Sequence, residues 1–338
     1  MYKWWSKPVP DVEQKNAKTI IHPFSLDLEN PTGLTLNTYV GCGHRCAYCY
    51  ATYKWSPEFY DKIIVRKNSA EVLHKQLNKW KTSEIDPVFL SSATDCYQPV
   101  EGAYQQTRKS IEVLQEHKIP YYILTKSSTI LRDIDLHSRY RDHCFIGWSM
   151  TTINDHLKRR LEPGTSSTMS QLRAMKIMSD HEIVTGANID PTIPGLTDNQ
   201  RELEKLVRKI SEAGGTFVSA SVLLLRTDIW ERMRNLFFEL NRPDLISLYD
   251  KLYFTTKTHV RGYLAARKEY CEPLLSNIEE TANKHGLHYG FPSGSMKTRQ
   301  GLLKIDLKPR KLWHQESLGN CYLEQIDLPP SRSIETSN

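Results

Sequence analysis

No stretch of this sequence approaches the roughly 20 consecutive apolar residues that a membrane-spanning helix needs. Its first ten residues, MYKWWSKPVP, lack the apolar stretch of a signal peptide. A soluble, cytoplasmic chain with no membrane partner is therefore expected. Compositional bias is also lacking. The 338 residues are 39% hydrophobic and 25% charged, with 17 Pro and 16 Gly, which excludes a disordered, collagen-like or low-complexity chain. Charge of one sign is in small excess: 45 Lys and Arg against 39 Asp and Glu leave +6. That permits a polyanionic partner without requiring one. Cysteine is scarce and odd in number, at seven, so a disulfide framework is not expected. Three of the seven crowd into residues 42–49, which points to a metal or cluster site.

No internal repeat breaks the chain into units. Residues 1–30 are polar and hold Pro8, Pro10 and Pro23, which reads as an irregular N-terminal extension. From there short apolar runs alternate with amphipathic ones. Leu34–Val40, Val88–Ser91, Tyr121–Thr125, Cys144–Met150, Ile183–Ile189 and Thr216–Leu224 read as strands, being short, apolar and bounded by turn residues. Between them, Ser69–Lys81, 105–118, 129–139, 166–180 and Asp198–Ala213 read as helices. The last has Leu203, Leu206, Val207 and Ile210 on one face, a Thr197–Gln200 capping box and Gly214 as its stop. Six strand–helix alternations predict an α/β fold, a partial (β/α)6 barrel of parallel strands with right-handed crossovers over 31–225. A mostly helical C-terminal segment, 226–330, follows, with helices at Asp228–Glu239 and at Pro273–His285, the latter carrying Pro273 in its first turn. A disordered tail, Ser331–Asn338, ends the chain.

The sharpest motif is GCGHRCAYCY, residues 41–50. Cys42, Cys46 and Cys49 stand at C-x3-C-x2-C directly after the first expected strand. Three thiolates on one short loop suit three corners of a cube-shaped iron–sulfur cluster, leaving the fourth iron open to substrate or cofactor. Gly41 and Gly43 let the backbone wrap closely. The alternative is a structural zinc in a nucleic-acid-binding protein, with His44 or Cys96 as fourth ligand. No second C-x2-C pair accompanies it.

C-x3-C-x2-C with Tyr48 before its last cysteine resembles the radical S-adenosylmethionine superfamily. Ser92–Glu101, Leu124–Lys126, Gly147–Met150, Arg160–Thr165 and Pro191–Asp198 resemble its spore-photolyase-like branch, often labelled DNA repair photolyases. The likeness covers roughly residues 31–225. It implies a 4Fe-4S cluster on Cys42, Cys46 and Cys49. It implies too that S-adenosylmethionine chelates the open iron and is cleaved by one electron to methionine and a 5′-deoxyadenosyl radical, which abstracts hydrogen from substrate. A flavodoxin- or ferredoxin-like reductant would supply the electron. A nucleic acid is the first candidate substrate, and a peptide or small metabolite the second.

The resemblance also supplies candidate roles. Lys126 and Ser149 match positions that hold the methionine carboxylate or the ribose, and Tyr48 would lie near the adenine. Asp95 and Asp190 join them as cofactor-binding candidates at strand ends, where barrel sites are built. Tyr48, Tyr50 and Cys96 are the catalytic candidates. Plainer duties compete: a solvated lysine at Lys126, turn-forming or capping at Asp95 and Ser149, a small loop hydrophobe at Cys96, and for Glu162 a bridge to Arg159 or Arg160. Ala93 stands where the spore enzyme carries its hydrogen-donating cysteine, which weighs against repair of the thymine lesion itself. Cys144, Cys271 and Cys321 read as buried, inert thiols. Lys251–Lys268 interleaves Lys251, Lys257, Arg261, Arg267 and Lys268 with Tyr253, Phe254 and Tyr263. It fits a nucleic-acid groove less well than a helix with solvated charges and core aromatics. Lys308–His314 is a weaker basic candidate. Trp4 and Trp5 are expected to pack the N-terminal extension onto the barrel.

Overall fold

The computed structural model describes residues 9–23, 34–53, 57–79, 87–90, 92–260 and 262–292, with the backbone of 295–298 and 301–304. Trp4, Trp5, Trp80, Arg261, Lys308–His314, Cys321 and the 331–338 tail lie outside the described residues. In chain order the strands are β1 Asp11–Lys15, β2 Ile21–Pro23, β3 Leu34–Leu36, β4 Tyr39–Val40, β5 Lys62–Arg66, β6 Val88–Leu90, β7 Tyr121–Thr125, β8 Cys144–Ser149, β9 Val184–Thr192, β10 Phe217–Val222, β11 His259–Val260, β12 Tyr263–Leu264 and β13 His288–Tyr289. The helices are α1 Ser69–Leu77, α2 Glu101–Tyr104, α3 Gln106–Glu116, α4 Ile134–Arg139, α5 Asp155–Leu161, α6 Thr168–Asp180, α7 Gln200–Glu212, α8 Thr227–Glu239, α9 Asp244–Tyr249 and α10 Lys268–Lys284.

Strands β3, β6, β7, β8, β9 and β10 pair in that order, all parallel. This is the expected six-stranded partial barrel. It stays open among the described residues, because β2 caps the β3 edge antiparallel and β13 extends the β10 edge in parallel. Helices α1, α3, α6 and α7 cover the outer face. Their apolar stripes, such as Leu203, Leu206, Val207 and Ile210 of α7, join β-strand side chains in one core, each contributing roughly 1.5–3 kcal/mol on leaving water. A second core collects α8, α9 and the cysteine loop: Ile229, Met233, Leu236, Phe237 and Tyr249 meet Cys46, Ala47 and Tyr48. No helix among the described residues is long and apolar enough to cross a membrane.

Several expectations need correction. The run Leu34–Val40 is two strands, not one. Asn37 leaves the barrel to bond Ser92 Oγ at 2.9 Å and to accept from the amide of Ala93 at 3.0 Å. The chain then turns, so that β4 pairs with β5 in a separate three-stranded sheet. The N-cap of α7 is Asn199, which accepts from Glu202 N at 3.2 Å. Thr197 Oγ1 instead accepts from Ile193 N at 2.7 Å, closing the preceding turn. Helix α10 starts at Lys268, so Pro273 is its sixth residue rather than in its first turn; beyond the four amides that lack intrahelical partners, it forfeits one backbone bond. Over 129–139 a 3-10 turn, Thr129–Asp133, precedes a short α4. In Lys251–Lys268 the charges and aromatics lie as expected, but the helix is one turn, Asp250–Phe254, followed by the β11–β12 hairpin. Tyr253 is fully buried with its hydroxyl on Leu223 O at 2.7 Å, and Phe254 packs on Trp230, while Lys251, Lys257, Arg267 and Lys268 are exposed.

Behind the sheet lies a buried polar network. His137 sits between the hydroxyls of Tyr97, 3.2 Å away, and Tyr121, 3.0 Å away. Asp133 joins Tyr97 to Arg108 and Arg132. Burial holds His137 neutral, lowering its pKa to about 4 from an ordinary 6.5 against the pull of Asp133. The unfolded chain takes up a proton near 6.5 that the folded one refuses until about 4, so this group's effect on stability worsens as pH falls through that window. Unfolding free energy is expected to fall with a His137 contribution of about 1.4 kcal/mol per pH unit there. Denaturant unfolding at a series of pH values checks it: His137→Gln should flatten the slope, and equal slopes in both proteins would contradict the assignment.

Candidate functional site

The cysteine loop closes the carboxyl end of the barrel, and its shape is set by backbone contacts that only glycine permits. Gly41 has φ +82°, and a Cβ there would sit 2.2 Å from Lys62 O. Gly164, after α5, presses on the loop so tightly that a Cβ would meet Gly43 O at 2.2 Å; its amide donates to His44 O at 3.1 Å. Buried Gln98 ties the first turn, donating to Gly41 O at 3.0 Å and accepting from Gly43 N at 2.9 Å. Tyr60 donates to Cys46 O at 2.6 Å. From α8, Arg232 donates to Ala47 O at 2.7 Å and Cys49 O at 3.0 Å.

Cys42 and Cys46 are buried and Cys49 is partly so. Burial raises all three thiols, Cys42 to about 12, and the carboxylates of Asp95 and Glu162, then neighbouring thiols, push Cys42 and Cys46 further. Ionising the three together thus needs compensating positive charge, which a bound polynuclear metal cluster supplies. The donor set fits such a group. Among the described residues no three His, Cys, Asp or Glu side chains are grouped to hold a metal ion, so the fit rests on the donor types and their spacing along one loop. Of the two candidates for a fourth zinc ligand, one turns a ring nitrogen to a carboxylate and the other faces the main core. His44 Nδ1 lies 3.2 Å from Asp95 Oδ2, and Cys96 is packed in the main core, 2% exposed. The zinc reading finds no support.

Beside the thiols lies a charged knot. Glu162, fully buried, accepts from Tyr48 and Thr151 hydroxyls, from Lys158 Nζ at 2.7 Å and from Lys126 Nζ at 3.2 Å. Burial pulls its carboxyl up, yet Lys126 and Lys158 outweigh burial and hold it well below the usual carboxylate range. Lys126 also donates to Ser149 Oγ at 2.8 Å and lies 5.3 Å from the Tyr48 ring centroid. Burial opposes its charge, but Glu162, Cys46 and Asp190 raise its pKa. Ser149 donates to Asp190 O at 3.1 Å, and the Asp190 carboxylate takes the Ser221 hydroxyl. The structure thus brings Tyr48, Lys126, Ser149 and Asp190 together beside the cysteines. Glu162 does not bridge Arg159 or Arg160 as expected; Arg160 reaches Glu239 at 2.9 Å, and Glu162 faces inward between two lysines.

The other candidates stand differently. Asp95 accepts from Tyr97 N at 2.8 Å in a turn of its own, from Thr125 Oγ1 at 2.8 Å and from Lys126 N at 2.7 Å. It fastens the β6 loop to the end of β7. Tyr50 is 50% exposed at the rim, its hydroxyl on Ser92 O. That turn at Asp95 aims Cys96 at the core, whereas Ala93 packs against the buried cluster of Cys42, Ala51, Phe59 and Tyr60. Cys144 is fully buried and Cys271 partly so. Glu162, Thr151, Lys158, Gln98 and Arg232 were not among the expected site residues. The i,i+4 spacing of Lys158 and Glu162 signals the first pair; nothing local signals Arg232.

Fold and site together define an open parallel α/β barrel carrying a thiol-rich loop and a part-buried cationic patch at its strand ends. Residues 36–210 match the family model of the radical SAM superfamily. The chain belongs to that superfamily and is a radical SAM enzyme, a family that uses S-adenosylmethionine and an iron–sulfur cluster. An uncharacterised protein of Mycobacterium tuberculosis is 28% identical over 259 residues, 73% of this chain and 74% of the relative. The radical SAM Nalpha-GlyT isomerase of Pseudomonas phage M6 is 26% identical over 178 residues, 52% of this chain and 36% of the relative. Spore photoproduct lyase complexed with dinucleoside spore photoproduct superposes with a TM-score of 0.64 at 15% identity, over 83% of this chain and 82% of that one. The likeness to spore photoproduct lyase is one of fold.

Proposed function

We propose that Cys42, Cys46 and Cys49 hold a 4Fe-4S cluster and that S-adenosylmethionine binds between it and the Lys126–Ser149 patch, for hydrogen abstraction from a nucleic-acid substrate. The observation that carries the reading is the part-buried Lys126 ammonium, set beside the thiol loop and within reach of Ser149 and Tyr48. When bound, the cluster and its cofactor supply one-electron cleavage to a carbon radical. The chain's residues do the rest. Lys126 is a charge-assisted donor for the methionine carboxylate. Lys158 neutralises Glu162, so the knot keeps one ammonium in excess for that carboxylate. Ser149 and Asp190 offer polar groups to the ribose. Second-core side chains around Tyr48 exclude water from the site.

Support for the substrate class comes from a spore photoproduct lyase of like fold, which holds bound AdoMet and dinucleoside spore photoproduct. Ala93 supports a reaction other than repair of that lesion, since it brings no thiol to the side chains packed around Cys42. A flavodoxin- or ferredoxin-like protein is the proposed electron donor. The test is anaerobic reconstitution followed by incubation with S-adenosylmethionine and dithionite. 5′-Deoxyadenosine should form, and form faster with single-stranded DNA or RNA than with peptide. No 5′-deoxyadenosine from an iron-loaded protein would contradict the reading. Lys126→Met is expected to weaken S-adenosylmethionine binding roughly ten- to hundredfold, the loss of one charge-assisted bond, with iron content unchanged. Equilibrium dialysis measures it; unchanged affinity would return Lys126 to a purely internal role.

A further inference from the structure

The superfamily match ends at residue 210, yet a side chain from beyond it grips the cysteine loop. Arg232, on α8, is mostly buried and spends its guanidinium on that loop. Nε donates to Ala47 O at 2.7 Å and Nη2 to Cys49 O at 3.0 Å; Nη2 also reaches Thr52 Oγ1 at 3.2 Å. Its carbon Cζ lies 5.9 Å from the ring centroid of Tyr60, whose hydroxyl takes Cys46 O. The carbonyls of Cys46, Ala47 and Cys49 are therefore all held by donors, two of them from one permanent cation. The countercharge is Asp228, one turn earlier on the same helix. It lies 3.0 Å from Arg232 Nη1 and accepts from Thr52 at 2.6 Å. Asp228 in turn pairs with Arg226, whose guanidinium reaches Tyr50 O at 3.4 Å.

We propose that Arg232 is a positioning residue that fixes the loop around Cys49 and, with Asp228, sets the reduction potential of the group the three cysteines hold. The inference rests on the cluster reading above. Reduction adds one electron, taken from a low-potential one-electron donor, and no bond breaks. A fixed cation against the ligand loop favours the form with the added negative charge, and the nearby carboxylate opposes it. Donors on the loop carbonyls lower the negative potential at the sulfurs in the same sense. Arg232 therefore raises the potential and Asp228 lowers it, opposite signs that a loss of packing alone would not produce.

The experiment is a dithionite titration, followed by electron paramagnetic resonance, of full-length protein reconstituted anaerobically. Arg232→Met should shift the reduction equilibrium about tenfold toward the oxidised form, about 59 mV for one electron. Arg232→Lys, which keeps the charge but loses the fork, should recover more than half of that shift. Asp228→Asn should move the midpoint the other way. In cluster-free protein, Arg232→Met should speed amide exchange over residues 47–52. A wild-type midpoint in Arg232→Met overturns the inference and leaves the cluster reading standing. Should that variant hold no iron, Asp228→Asn carries the test, and a midpoint at or below wild type overturns it. Unchanged amide exchange overturns the clamp. A wild-type protein that binds no iron and sulfide overturns the cluster reading and this inference with it.

Discussion

Replacing any one of Cys42, Cys46 or Cys49 with alanine is expected to abolish stable iron and sulfide binding. Each thiol supplies one of only three protein bonds to the cluster in the proposed site, and one short loop carries all three. The loop itself should survive the loss. Its path is set by Gln98, Tyr60, Arg232 and the Gly41 and Gly164 contacts rather than by the sulfurs. The variants should therefore fold with wild-type circular dichroism and thermal stability when all are compared cluster-free. They should yield colourless protein after reconstitution and no 5′-deoxyadenosine. Wild-type iron content in a triple variant would show that the metal binds elsewhere.

Glu162→Gln should cost about 3–5 kcal/mol of unfolding free energy, a large share of the 5–15 kcal/mol typical of a folded domain. Glutamine keeps the volume and some hydrogen bonds with Tyr48 and Thr151 but cannot neutralise Lys158, which is 2% exposed and 2.7 Å away. The penalty is that of a buried, unpaired ammonium. Guanidinium unfolding of cluster-free protein measures it, and adding Lys158→Met to the variant should return a large part. A Glu162→Gln protein within 1 kcal/mol of wild type would show the knot to be solvated. The depressed carboxyl gives the sign of the pH effect. Its stabilisation is full above the unfolded-state pKa and is lost as pH falls through the folded one.

The parts of this architecture that obey local rules were legible in the sequence. The cysteine spacing named the loop, and period-two and period-3.6 patterns placed the six barrel strands and their helices to within a few residues at most ends. What escaped was decided by partners far along the chain. Asn37 ends β3 because Ser92 and Ala93, 55 and 56 residues on, take its side chain. Cys96 and Ala93 lie three residues apart, yet the Asp95 turn sends one to the core and leaves the other against the side chains around Cys42. The Ser92–Glu101 segment carries part of the family resemblance, with turn-forming and packing duties competing at Asp95 and Cys96. Much of it is scaffold: Gln98 holds the cysteine loop, while Tyr97 and buried Glu101 belong to the polar network behind the sheet. Glu162 was visible as a residue but not as a hub, since Tyr48, Lys126 and Thr151 converge on it from three other segments. Arg232 left no trace, because an arginine on an amphipathic helix is commonplace until the fold lays it across Ala47 and Cys49.

The central claim is that the three loop thiols and the part-buried Lys126 ammonium frame a cluster with an open, S-adenosylmethionine-binding iron. Its most direct test is electron paramagnetic resonance of the dithionite-reduced, reconstituted protein before and after S-adenosylmethionine is added. The account predicts a signal from a reduced 4Fe-4S cluster whose g-values shift with the cofactor in wild type and in Arg232→Lys, and shift only at much higher cofactor concentration in Lys126→Met. A reduced-cluster signal that S-adenosylmethionine leaves unchanged at saturating concentration would contradict it.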